Sequence, residues 1–220
     1  MLADSISIGY GPFLKLALQG VFAYGRKNED ADPSDNSVSG QNGGSSSDVL
    51  EYMQQRAPEK PAAESWLLLN AGLWDVRRDP ETGAIATPIA EYRANLARTF
   101  ELARAKHFRH VWWVRTTPVH DETHATRTND VPSGAARAWG FTRKMSDVEL
   151  YNDCADEVAR EHDVRIIDLA PASDALGAAA YKDHVHFTAA VSGQQAGSSA
   201  SGRWASWRLG TCRTFTDGSR

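Results

Sequence analysis

Apolar and polar positions in this chain fall into two alternating patterns: stretches at helical spacing and short unbroken apolar runs. From Gly9 to Gln19, the residues Phe13, Leu14, Leu16, Ala17 and Leu18 predict a helix, with Gly20 as its stop. Val21–Tyr24 is a short strand candidate. Gly25 to Gly44, rich in Asn, Asp, Ser and Gly, reads as a long loop; such loops in compact domains are usually functional or disordered. Ser45 to Arg56 reads as a short helix capped by a serine. Trp66–Leu69 is apolar throughout and runs into Asn70-Ala71-Gly72, as a buried strand does. Pro88 to Lys106 is the clearest amphipathic helix, with Ile89, Tyr92, Leu96, Phe100 and Ala103 on one face. Val111–Val114 is the next buried strand and leads to Thr116-Thr117-Pro118. After a polar stretch from His120 to Arg143, Ser146 to His162 is helical and Val164–Leu169 is a strand.

This alternation predicts an α/β fold: one domain, a three-layer α/β/α sandwich around a parallel, flavodoxin-like sheet. Ligands bind such sheets beyond the carboxyl ends of the strands. Five polar segments fall on that rim: Asp4-Ser5, Asn42–Gly44, Asn70–Asp75, Thr116–Pro118 and the stretch around Asp183–His186. The pattern places the domain at residues 1–192. Residues 193–220 are rich in Gly, Ser, Arg and Thr without a clear period, so they read as an irregular tail, either a disordered extension or a late shift of reading frame.

Composition narrows the function classes. A hydrophobic fraction of 41% and a charged fraction of 24% are ordinary for a soluble globular protein. The net charge of −4 without a basic block argues against nucleic acid or an anionic membrane as partner. No apolar run approaches the roughly 18 residues that span a bilayer. The start has no basic region and no apolar stretch, so no signal peptide is read there, and the compartment stays open. Cys154 and Cys212 make neither a disulfide framework nor a metal motif; Cys154 reads as a small buried side chain.

Four segments carry candidate chemistry. Ser5 sits at a strand-to-helix junction, as a helix cap or as a nucleophile, which a hydroxyl becomes only beside a base. In Asp183-His184-Val185-His186, a carboxylate three residues before a histidine can orient its ring and stabilise the imidazolium. That spacing favours His186 over His184 as base; a surface loop or an Asp/His metal cluster are the other readings. Gly44, in Asn42-Gly43-Gly44-Ser45, offers backbone N–H groups for an oxyanion or a flexible turn. Asn70 and Trp74, in Asn70-Ala71-Gly72-Leu73-Trp74-Asp75, offer amide and indole donors or a strand-end turn.

In order, these segments resemble the four blocks of the SGNH (GDSL-like) hydrolases over residues 2 to 190. Ala3-Asp4-Ser5-Ile6-Ser7 looks like the Gly-Asp-Ser block, Gly44 like the glycine of the second, Gly72-Leu73-Trp74-Asp75 like Gly-x-Asn-Asp, and Asp183-His184-Val185-His186 like Asp-x-x-His. The resemblance implies a serine esterase or acylhydrolase with Ser5 as nucleophile, His186 as base and Asp183 as its support. Its oxyanion hole would be the N–H groups of Ser5 and Gly44, helped by Asn70 or Trp74. It implies no cofactor and no metal, and a small-molecule or carbohydrate ester as substrate. The loops Gly25–Asn42 and His120–Arg143 would shape the pockets, their polarity leaning toward small or carbohydrate groups. Four departures stand out. Ala3 replaces a glycine, the strand ahead of Asp4 is nearly absent, Trp74 replaces the oxyanion asparagine, and no closing helix is recognisable. They keep three rivals open: a catalytically impaired binding protein of this fold, an O-acyltransferase, and a metal-dependent hydrolase using Asp183, His184 and His186.

Overall fold

A computed structural model of the 220-residue chain describes residues 1–32, 37, 39–57, 61, 64–120, 140–171 and 177–201. Among them, five α-helices and three strands alternate as expected: α1 (Ser5–Ala17), α2 (Ser46–Gln55), β1 (Trp66–Leu69), α3 (Ile89–Ala105), β2 (His110–Val114), α4 (Met145–Glu161), β3 (Arg165–Ile167) and α5 (Ala189–Ser201). The strands form one parallel sheet in the order β1-β2-β3, with Leu68 beside Trp112 and Trp113 beside Ile166. α1 packs on α5, while α2 packs on α3 and α3 on α4. The sheet lies between these groups in a three-layer α/β/α sandwich. Trp113 is fully buried against Phe100 of α3, and Leu69, Tyr92, Leu96 and Val158 complete the centre of the core.

Ahead of α1 the chain makes one parallel bridge to the sheet, Leu2 to Leu69. Leu2 N–H donates to Leu68 O, and Leu2 O accepts from Asn70 N–H. So short a strand leaves little edge to extend, and the strand expected at Val21–Tyr24 does not form. Its side chains cover the sheet end instead, Phe22 meeting the Trp66 ring edge-on at 5.7 Å.

Two helices differ from expectation. α1 starts at Ser5, not Gly9, and buries Ile6, Tyr10 and Leu14; Phe13 and Leu16, which the spacing put in the core, are 40% and 70% exposed. Ile89, expected on the core face of α3, is also exposed. α5 runs through Gly193 to Ser201, where an irregular tail was expected, and buries Val191, Ser192, Gln195 and Ala196. Its apolar face is made of small side chains, which leave little hydropathy signal. The remainder of that expected tail, with Cys212, lies outside the described residues; Cys154 is buried and free. No described helix is long and apolar enough to cross a membrane.

Candidate active site

The rim beyond the strand ends is assembled from the N-termini of α1 and α2, the loop after β1 and the loop before α5. Asp4, not Ser5, caps α1: its Oδ1 accepts from Ile6 N–H at 3.0 Å. Ser5 is therefore the first helical residue. Ser7 N–H bonds back to Asp4 O, and no partner is found for Ser5 N–H among the described residues. A helix start leaves such donors over, at the positive end of the dipole. Asn70 fixes this turn to the sheet, its Oδ1 facing Asp4 N–H at 3.4 Å and its Nδ2 donating to Val114 O at 3.0 Å.

The loop before α5 brings His186 back to Ser5. His186 Nε2 lies 2.9 Å from Ser5 Oγ, and Nδ1 lies 2.8 Å from Asp183 Oδ2. Asp183 Oδ1 accepts the N–H groups of Val185 and His186 at 2.9 and 2.8 Å. Burial pushes the Asp183 carboxyl up, but the bond to His186 and the two amides outweigh it and hold the pKa well below the usual carboxylate range. Asp183 thus stays ionised, and the ring is set to present Nε2 to the serine.

His184 faces elsewhere. It is buried, with Nε2 3.1 Å from Arg143 Nη1. Asp183, His184 and His186 therefore do not converge, which removes the geometric basis of the metal-dependent reading. Among the described residues no three His, Cys, Asp or Glu side chains are grouped to hold a metal ion.

The expected oxyanion donors are arranged differently from the sequence reading. Gly44 N–H donates to Asn42 Oδ1 at 2.9 Å, so it is engaged in a local turn. Gly44 has φ +78°, and a Cβ there would run into the Asp48 carboxylate. The glycine serves the capping box of α2, in which Ser45 and Asp48 bond each other. The Asn70 amide bond to Val114 O likewise serves the sheet. Trp74 is half-buried, with the Arg77 guanidinium over its ring at 4.6 Å. Of the expected set, Gly44 N–H and the Asn70 amide have internal partners, and none is found among the described residues for Ser5 N–H or the Trp74 indole N–H.

Two residues beyond the motif reading matter here. Arg143 is buried, donates through Nε to Leu73 O, and lies 4.6 Å over the Phe141 ring. It ties the loop after β1 to the loop that carries His184 and His186. Burial lowers its pKa to about 10, while Asp4 and Asp183 support its charge. Nothing in a polar stretch ending Arg143-Lys144 signals a buried guanidinium. Asp75 is also buried and accepts from Ser46 N–H and Ser46 Oγ, clamping the start of α2 to the end of β1. Burial raises both Asp4 and Asp75 to about 6. Of the two loops expected to shape the pockets, residues 33–36, 38 and 121–139 lie outside the described residues.

No protein-family model and no curated protein matches the chain. Solved structures do. A lipase/acylhydrolase from Enterococcus faecalis superposes with a TM-score of 0.60 at 16% identity, covering 93% of this chain and 94% of that one. A GDSL-like lipase from Bacteroides thetaiotaomicron gives 0.56 at 15% identity, over 94% and 86%. An acetylxylan esterase from Geobacillus stearothermophilus gives 0.58 at 17% identity, over 86% and 78%. The chain thus has the fold of the SGNH (GDSL-like) hydrolases.

Proposed function

We propose that the protein is a serine esterase that hydrolyses carboxylic esters of small molecules or carbohydrates. The observation that carries this reading is the unbroken chain from Ser5 Oγ through the His186 ring to Asp183. The structural neighbours described as an acylhydrolase, a lipase and an acetylxylan esterase support ester chemistry.

His186 Nε2 takes the proton of Ser5 as Oγ bonds to the ester carbonyl carbon. The carbonyl oxygen becomes an oxyanion held by Ser5 N–H at the positive end of α1. With Gly44 and Asn70 engaged elsewhere, the Arg143 guanidinium, which acts on the Asp4 carboxyl, adds positive potential at this rim. The carbon–oxygen bond to the alcohol then breaks, and Nε2–H gives its proton to the leaving oxygen. Water, deprotonated by the same nitrogen, attacks the acyl-serine and releases the acid. Asp183 stabilises the imidazolium in both halves.

Ser5→Ala tests the assignment. It should abolish turnover of a short-chain aryl ester and labelling by a fluorophosphonate. Turnover equal to wild type in that variant would sink it.

A further inference from the structure

The cavity against the triad lies along the flank of α1, not in front of the sheet. It measures about 290 Å³ and is lined by Ser5, Gly9, Lys182, His186, Phe187 and Ser192, among others. That is at the small end of ligand pockets, which run from about 300 to 1,000 Å³. Its walls come from three elements: the first turns of α1, the loop of the base and the start of α5.

Resting on the esterase reading, we infer that this cavity is the subsite for the leaving alcohol, and that it takes a polyol such as one sugar residue. The direction follows from the chemistry. The leaving oxygen must lie within hydrogen-bond reach of His186 Nε2, which protonates it. The oxyanion points the other way, toward Ser5 N–H. A group extending from the leaving oxygen past the imidazole meets the wall formed by Lys182 and Phe187 and then the α1–α5 seam.

The lining suits a polyol. Ser192 is 4% exposed, and its Oγ has no partner among the described residues. It faces α1: it is the atom nearest to where a Cβ on Gly9 would sit, at 3.4 Å. A hydroxyl open to a cavity and left over by the protein is a ready partner for a ligand hydroxyl. Gly9 has no side chain, so the seam stays open at this point, and its exposure leaves the cavity mouth to solvent. The Lys182 ammonium side chain is exposed at the rim, while Phe187 supplies an apolar face. Few polar groups around an apolar surface fix a small polar ligand, and an open, polar mouth does not favour a long alkyl chain.

The test compares two acetate esters, an O-acetylated methyl glycoside and ethyl acetate, in wild type, Ser192→Ala and Gly9→Val. The readout is the ratio of kcat/KM for the glycoside to that for ethyl acetate. Ser192→Ala should lower this ratio roughly 5- to 10-fold, the loss expected for one hydrogen bond. Gly9→Val should lower it further by filling the seam. In both variants the preference among aryl esters of increasing acyl length should stay that of wild type. An unchanged ratio in Ser192→Ala, or a shift in acyl-length preference instead, overturns the inference. Should Gly9→Val fail to fold, Ser192→Ala alone decides. Failure of the esterase reading looks different: wild type would then hydrolyse neither ester, or Ser5→Ala would match it.

Discussion

Arg143 shows how a single side chain can hold a rim together. Its Nε bonds the Leu73 carbonyl and its Nη1 meets His184 Nε2, so it bridges the two loops that flank Ser5. Arg143→Ala leaves both acceptors without this donor in a buried place. Each orphaned group costs about 1–3 kcal/mol. The variant should therefore unfold at clearly lower urea concentration, and its kcat should fall because the His186 loop loses its tether. A wild-type midpoint would show that the guanidinium is dispensable. The same residue marks what a sequence does not disclose. The meeting of Ser5, Asp183 and His186 was legible because the blocks that the sequence resembles name these three positions. Arg143 was not, because its importance is a burial, and burial is set by what other segments bring to it. Gly44 and Asn70 were legible as positions but not as roles: their donors meet Asn42 and Val114, and no single-sequence pattern distinguishes those partners from a ligand.

Elements were read as reliably as their side chains were large. α3, with Tyr92, Leu96 and Phe100 on its buried face, was visible at once. α5 was not, because its buried face is built from Val191, Ser192, Gln195 and Ala196. Val21–Tyr24 has strand-like composition, yet Leu2 offers it one bridged residue and no longer edge. α1 begins ahead of the apolar pattern that starts at Gly9, because Asp4 caps it and Ile6 packs inward. α2 illustrates how a loop residue decides an element. Its start depends on the box between Ser45 and Asp48, and Gly44 must adopt positive φ to let that box close. Gly44→Ala adds the strain of a left-handed conformation, about 1–2 kcal/mol, and drives a Cβ into Asp48. Thermal unfolding should move down by several degrees. Ser45→Ala, which removes the cap hydroxyl alone, should cost about 1 kcal/mol. Equal stability of Gly44→Ala and wild type would mean that the turn relaxes around the methyl group.

At the scale of the whole molecule, the rim is held by carboxylates placed where water cannot reach them. Asp4 caps the helix that carries Ser5 and Asp75 clamps α2, and burial raises each from 3.8 to about 6. In the unfolded chain both carboxyls release their protons near pH 4, whereas the folded protein keeps them to about pH 6. Over that interval the unfolded state binds fewer protons, so folding stability falls as pH rises, by on the order of 3 kcal/mol for each carboxyl. Asp183 works in the opposite sense: its depressed pKa adds stability above about pH 4 and loses it as pH falls further. The two effects occupy different pH windows, so the carboxyls of Asp4 and Asp75 should impose a decline in unfolding free energy between pH 4 and 6. Asp4→Asn isolates one share of it. Asparagine caps a helix as well as aspartate does, so the turn at Ser5 is kept while the titration is removed. Urea unfolding of the variant across this range should decline less steeply than wild type, with the curves converging toward pH 4. Parallel stability curves would show that the Asp4 carboxyl titrates alike in the folded and the unfolded chain.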